Sequence, residues 1–257
     1  MRSDGPPAPR SWGLHLQGFG AFFETELRVQ LHEGVAIVTS IVVQVVLLVF
    51  VAILAPRLWS VAILGALVFS FFTLGQRVLN EAAYIRVDHK LNQLYLASPL
   101  TPESYFLGLS SGILVAYLAP IAALGVVAAV TVPPSPLLLV LVPVAGLAVW
   151  LFSASLGYVL STRFRDMRAI WSYASLLYNG FGVLPPVFYP IGLVPAAARP
   201  LALLLPPSAA AALLQWVVHS AALSAAELAL AAGALGGETV LLFAIAVVWA
   251  RRTVRED

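Results

Sequence analysis

Long apolar stretches alternate with short polar interruptions along most of this chain. A bilayer core needs about 20 apolar residues per helix, and six stretches approach or exceed that length. They occupy residues 34–54, 60–79, 105–132, 137–162, 169–188 and 226–250. The pattern therefore predicts an all-α membrane protein with six transmembrane helices in one transmembrane domain.

The residues before the first apolar stretch divide into two parts. Residues 1–10 are polar and rich in proline, which predicts a flexible tail without a cleaved signal peptide. Within residues 11–33, six apolar residues recur at spacings of three or four: Trp12, Leu16, Phe19, Phe23, Leu27 and Leu31. This spacing places them on one face of a helix. We therefore expect an amphipathic helix that lies at the membrane interface.

A second amphipathic segment, residues 81–97, separates the second and third apolar stretches. Ser98-Pro99 ends the predicted helix, because the residue before a proline avoids the helical region. Thr101, Pro102 and Glu103 then suit the N-cap, the first helical position and the positive end of the helix dipole. The pattern predicts a helix stop followed by a capped helix start.

Arginine and lysine fix the expected orientation, because cytoplasmic loops carry an excess of both. With six spans, 12 of the 14 basic residues fall on one side, which includes both termini. Only Arg57 and Arg199 fall on the other side. We therefore expect both termini, and the helix at 81–97, to be cytoplasmic.

Residues 189–221 are apolar, but five prolines interrupt the segment. It cannot form one straight helix. Since unsatisfied backbone groups are costly in lipid, we expect short re-entrant helices, packed against protein or at the outer interface, between the fifth and sixth spans.

Composition excludes most other classes of protein. The chain is 61% hydrophobic and only 10% charged, against about 25% charged residues in soluble domains, and its mean hydropathy is +0.94. It contains no cysteine, and its only lysine does not stand in a phosphate-binding G-x-x-x-x-G-K-[ST] motif. We find no catalytic or metal-binding motif, and we expect no catalytic residue, metal or cofactor in this chain.

Two further groups of polar residues stand out. Glu238 lies about 12 residues from the cytoplasmic end of the last span, near the middle of the membrane, where a carboxyl group is usually functional or paired. Arg163, Arg165, Asp166 and Arg168 follow the fourth span. That loop is a positive-inside anchor, or a contact for a cytoplasmic partner or for anionic lipid.

Three segments resemble the membrane subunit of type-2 ATP-binding cassette (ABC) exporters, the family of drug, lipid and polysaccharide permeases. They are LYLASPLTPESYFLG (94–108), STRFRDMR (161–168) and VLPPVFYPIGLVPAAARPL (183–201). The order of an amphipathic helix, six spans, a cytoplasmic helix between spans two and three, and a proline-rich outer segment is also similar.

The resemblance implies a permease subunit in the plasma (inner) membrane that exports a hydrophobic or amphipathic drug, lipid or lipid-linked glycan. A second copy and two separate ATP-binding subunits, which hold ATP and Mg, would be its partners, together with membrane lipid but no nucleic acid. By the same resemblance, residues 81–97 form a coupling helix. Its candidate contacts with the ATPase are Arg86, Asp88, His89, Lys90, Leu91 and Tyr95.

The substrate path implied by the resemblance contains the aromatic residues Phe181, Phe188 and Tyr189 near an outer gate, with Glu238 as a further candidate. The main competing hypothesis is an ion-coupled secondary transporter or a channel. Such proteins usually carry repeats and several ionisable residues within the membrane, whereas we find no repeat and only Glu238. A membrane-embedded enzyme and a structural membrane scaffold also stay open.

Overall fold

The structure is a computed structural model that describes residues 12–40, 42–87, 101–164 and 166–256. Most of these residues are in helices: α1 (Trp12–His32), α2 (Gly34–Thr39), α3 (Val42–Leu54), α4 (Trp59–Val87), α5 (Pro102–Thr131), α6 (Pro136–Ser161), α7 (Met167–Val183), α8 (Arg199–Leu203), α9 (Pro206–Val217) and α10 (Ala225–Glu256). Short 3₁₀ turns lie at Pro56–Leu58 and Ile191–Leu193. The predicted all-α fold is confirmed.

Helix α4 forms the centre of the bundle. Most of its residues between Val61 and Ala83 are buried, and it contacts α3, α5, α6, α7 and α9. Glycines bring α4 and α6 into backbone contact. A Cβ atom on Gly75 would lie 2.2 Å from the Ser153 carbonyl oxygen, and one on Gly157 would lie 2.2 Å from the Gly75 carbonyl oxygen. Small residues at a helix interface are typical of membrane bundles.

Five segments are long and apolar enough to cross a membrane. They are Gly34–Leu54, which contains α2 and α3, and Pro56–Val87, Pro102–Thr131, Pro136–Ser161 and Ala225–Arg251. The fifth predicted span, residues 169–188, is only partly helical. Helix α7 has 17 residues, or about 26 Å at 1.5 Å per residue, against a bilayer core of about 30 Å. The protein is thus multi-pass by length and composition, while the sixth span and the orientation stay predictions.

Helix α1 packs along the first half of α5. A Cβ atom on Gly108 would lie 3.1 Å from the Cβ of Phe22, and one on Gly112 would lie 2.9 Å from the Cβ of Glu26. The face of α1 that is buried against α5 contains Phe22, Glu26 and Gln30. It is offset from the predicted apolar stripe and includes two polar residues, which a count of apolar positions could not identify.

The proline-rich segment forms the short helices α8 and α9. Prolines occupy the first turn of both, where no intrahelical N–H bond is lost. Helix α9 is buried through Ala209–Ala212 and packs against α4, α6 and α10. At its end, His219 adopts a positive φ of 56°, and the Ser220 N–H donates to the Gln215 carbonyl at 2.9 Å. The segment is divided into short helices as expected, while its re-entrant path and its side of the membrane stay predictions.

Candidate functional site

We call the end of the bundle where α4 ends and α5 begins the basic end. Helix α4 runs without a break to Val87, so residues 81–87, which we expected to begin a separate coupling helix, continue the second span. Five of the candidate ATPase contacts lie outside the described residues: Asp88, His89, Lys90, Leu91 and Tyr95. The described part of the site is therefore formed by the helix ends on either side of residues 88–100.

Helix α5 begins as its sequence predicts. The Thr101 side chain accepts a hydrogen bond from the Ser104 N–H at 3.3 Å, Pro102 occupies the first turn, and Glu103 is the acidic residue of that turn. The Glu103 carboxylate forms an ion pair with Arg251 of α10. The last helix is thus tied to the start of α5, a contact between residues 148 positions apart.

Arg86, the described member of the candidate ATPase contacts, lies in the last turn of α4. Its guanidinium donates to the carbonyl oxygens of Ser161, Thr162 and Phe164, with the bond to Thr162 at 3.1 Å. These carbonyls lie at and just beyond the C-terminal end of α6, where backbone acceptors lack intrahelical partners and a cation is favoured by the helix dipole. Arg86 therefore joins the end of α4 to the end of α6.

The loop after α6 makes a second connection, to α10. The guanidinium of Arg163 lies 4.8 Å from the centroid of the Trp249 ring, within the range of a cation–π contact. The Trp249 indole N–H donates to the Thr162 hydroxyl at 2.8 Å. Because of these contacts, α10 is held against both α5 and α6 at the basic end.

The remaining members of the predicted loop lie at the start of α7. Asp166 is the N-cap of α7, and its carboxylate accepts a hydrogen bond from the Arg168 N–H at 3.2 Å. Arg168 is exposed, and Arg165 lies outside the described residues. The positions of Asp166 and Arg168 suit both a positive-inside anchor and a contact for a partner.

A buried polar pair lies where α1 packs on α5. The Gln30 side-chain amide donates to the Glu26 carboxyl at 2.8 Å. Burial raises the pKa of Glu26 to about 7, and the negative charges of Glu81 and Glu33 also raise it, whereas the bond from Gln30 opposes the shift. Glu26 therefore changes its charge near neutral pH, at the contact between α1 and the rest of the bundle.

At the other end of the bundle, Gln215 of α9 holds the segment that contains the predicted gate aromatics. Its side chain accepts from the Ile191 N–H at 3.0 Å and donates to the carbonyls of Pro186 and Tyr189 at 3.3 and 3.1 Å. Gln215 is 1% exposed. Sequence reasoning missed this residue, because nothing in the local pattern links it to a segment 24 to 29 residues earlier.

The structure separates the three predicted gate aromatics. Phe188 is buried and packs edge-on against Phe69 of α4, with ring centroids 5.4 Å apart. Phe181 is 46% exposed, and the Tyr189 hydroxyl donates to the Leu184 carbonyl at 2.7 Å. Phe181 and Tyr189 line the same groove, whereas Phe188 belongs to the core.

That groove has a volume of about 690 Å³. It lies between α7 and the segment that leads into α8, and nearly all of its lining is apolar. Its volume is within the range of small-molecule sites. We call it the α7 groove. It could hold an acyl chain, an apolar drug or a helix of another subunit.

Glu238 lies in α10, beside Thr239, whose hydroxyl reaches the Ala148 carbonyl of α6 at 3.2 Å. Glu238 is half-buried, and no ion pair with it is found in the described part of the chain. It lies away from the α7 groove. The structure therefore does not bring Glu238 together with Phe181 and Tyr189.

These features define an all-α, multi-pass membrane protein whose helix ends are joined at the basic end and which carries an apolar groove. Within the described ranges, no group of three His, Asp or Glu residues could hold a metal ion. The sequence matches no known protein-family model and no curated protein.

Proposed function

We propose that this chain is the transmembrane permease subunit of an ABC exporter. Two copies would pair and move a hydrophobic or amphipathic substrate outward, driven by a separate ATP-hydrolysing subunit. The resemblance of three segments to type-2 exporters suggests the family. The contacts at the basic end suggest how an external motor would act on the bundle.

The proposal rests on the contacts made by the two helix ends that flank residues 88–100, the end of α4 and the start of α5. Arg86 joins α4 to α6, and Glu103 joins α5 to α10 through Arg251. A force applied to residues 88–100 would reach both α4 and α5 directly. Because each of these helices is tied to a second one, four helices would move together.

The α7 groove supports an apolar or amphipathic substrate. Its lining includes Phe181, Tyr189 and Leu201, and such a surface binds hydrocarbon without unsatisfied polar groups. In a paired exporter, substrate would pass along the surfaces where the two copies meet. The groove is an apolar surface suited to that path.

Photo-crosslinking tests the proposed motor contact. A photoreactive amino acid replaces Lys90, and the matched control places it at Ser135, in the turn between α5 and α6 at the other end of the bundle. We expect the Lys90 position to crosslink a P-loop ATPase in intact membranes, and the Ser135 position to crosslink none. Equal labelling from both positions, or no ATPase from Lys90, would contradict the proposal.

An ion-coupled transporter is the second candidate, because Glu238 is a half-buried carboxyl within a predicted span. Ionisable residues at such positions often carry protons or ions. The two candidates differ in their source of energy, so a transport measurement separates them.

A further inference from the structure

Helix α1 is attached to the rest of the protein in a way that allows it to move as a unit. Its main packing partner among the described helices is α5. A single residue, Glu33, separates α1 from α2, and its φ of −86° and ψ of 44° lie outside the helical region. Rotation of the chain at Glu33 would therefore separate α1 from α5 while the later helices keep their packing.

The surface between α1 and α5 contains a buried acid. Glu26 is 4% exposed and Gln30 is 0% exposed. On α5, the positions that lie against this part of α1 include Gly108 and Gly112, which have no side chain that could hydrogen-bond the acid. The Glu26 carboxyl instead accepts from the Gln30 side-chain amide at 2.8 Å. The buried polar atoms of this contact thus form a pair within α1 itself.

The Gln30 oxygen indicates which form of Glu26 this pair accommodates. That oxygen is buried and has no hydrogen-bond donor in the described part of the chain. A carboxylate can only accept a hydrogen bond, whereas a protonated carboxyl group also donates one. A proton on Glu26 would therefore supply a donor within the pair. With the amide turned over, two acceptor oxygens would face each other, and the same proton would be needed.

The charged groups around the pair also oppose a carboxylate at Glu26. Burial raises the pKa of Glu26 to about 7, and Glu81 of α4 and Glu33 act in the same direction because both are negative. On α5, Tyr117 interacts with these carboxylates. Arg77 of α4 lies 5.5 Å from the centroid of the Tyr117 ring, and it forms no ion pair with Glu26 within the described ranges. An ionised Glu26 would be a buried, uncompensated charge.

We propose that protonation of Glu26 controls the docking of α1 on α5. With the proton bound, the Glu26–Gln30 pair is uncharged and α1 stays packed on α5. Loss of the proton favours release of α1 by rotation at Glu33, because release exposes the carboxylate to water. This inference goes beyond the exporter proposal, since it rests on contacts within one chain and requires neither an ATPase nor transport.

Hydrogen exchange tests this control in the intact protein. The chain is placed in phosphatidylcholine nanodiscs, and amide exchange in α1 and α4 is measured at pH 6 and pH 8, with each rate corrected for the intrinsic effect of pH. The corrected rate in α1 should rise about tenfold, because Glu26 has a pKa of about 7 in the docked helix and about 4.5 in the released one. At both pH values, α1 should exchange faster than the buried α4, because α1 opens alone.

Two results of this measurement would overturn the proposal. Equal protection of α1 and α4 would mean that α1 leaves α5 only when the whole protein unfolds. A corrected α1 rate that is the same at pH 6 and pH 8 would mean that docking does not depend on a proton.

Glu26→Gln separates the proton from the rest of the contact. A second amide still offers a donor to the Gln30 oxygen but cannot ionise, so the corrected α1 rate in Glu26→Gln should not change with pH. Glu24→Gln removes a carboxylate from the exposed face of the same helix and should retain the tenfold change. Equal pH dependence in the two variants would overturn the proposal.

Infrared spectroscopy keeps the proposal testable if Glu26→Gln does not fold. The measurement uses Glu238→Gln, which removes the half-buried carboxyl of α10 and leaves Glu26 in place. Its spectra should contain a protonated carboxyl band that disappears with a midpoint near pH 7. Absence of any such band between pH 6 and pH 8 would overturn the proposal, because Glu26 would then be ionised in the docked helix.

Discussion

Glu26 shows how one buried residue sets a measurable property of this protein. Its pKa in the folded protein is about 7, against 4.5 for an exposed glutamate. The folded state therefore binds more protons than the unfolded state between these two values, so stability must fall as the pH rises from about 4.5 to 7 and must stay low above 7.

Glu26→Gln should remove this dependence. The original protein should lose on the order of 2.5 kcal/mol of unfolding free energy between pH 5 and pH 8 through this residue, whereas Glu26→Gln should lose much less. Unfolding in denaturant at several pH values measures the difference. Glu24→Gln, on the exposed face of the same helix, is the control. An unchanged pH profile in Glu26→Gln would rule out a buried, ionising Glu26.

His219 offers a second test at this scale, because its φ of 56° is unfavourable for a residue with a Cβ atom. His219→Gly should raise the unfolding free energy by about 0.5–1 kcal/mol, whereas His219→Ala, which keeps the strain, should not. Thermal unfolding of both variants makes the comparison. If His219→Ala stabilised the protein and His219→Gly were neutral, the left-handed end of α9 would be contradicted.

At the level of elements, glycines determine which helices touch. A larger residue at Gly112 would push α1 away from α5, since its Cβ would lie 2.9 Å from the Cβ of Glu26. Gly125 also lies on α5, but a Cβ atom added there would have no neighbour within 4 Å. The two positions therefore form a matched pair.

We expect Gly112→Leu to destabilise the protein by about 1–3 kcal/mol through overpacking and to expose α1 to protease. Gly125→Leu should be neutral or stabilising by about 1 kcal/mol, because it replaces glycine in a helix. Limited proteolysis and thermal unfolding compare the variants. If α1 were equally resistant to protease in Gly112→Leu and in Gly125→Leu, α1 and α5 would not pack as described.

The sequence predicted those helices and helix ends that are determined by residues close together along the chain. Thr101, Pro102 and Glu103 cap α5 as expected because all three act within one helical turn. Apolar length predicted five of the membrane segments for the same reason. The contacts of Glu103 with Arg251, and of Gln215 with the segment at 186–191, join residues that are distant along the chain. The spacing of apolar and polar residues along the sequence does not indicate such long-range contacts.

At the scale of the whole molecule, the central claim is that ATP hydrolysis by another subunit drives this chain. The contacts of Arg86, Glu103 and Arg251 link four helices around the segment where that force would enter. An ion-coupled transporter would instead depend on a carboxyl within a span, for which Glu238 is the candidate.

Transport into inside-out vesicles distinguishes these mechanisms most directly. The vesicles contain the chain and the ATPase that crosslinks to it, and uptake of a fluorescent amphipathic probe is measured with ATP, with a non-hydrolysable analogue, and with a proton ionophore. The exporter mechanism predicts uptake that requires hydrolysable ATP, survives the ionophore and is retained by Glu238→Gln. Uptake that continues without ATP and is lost with the ionophore or in Glu238→Gln would contradict it.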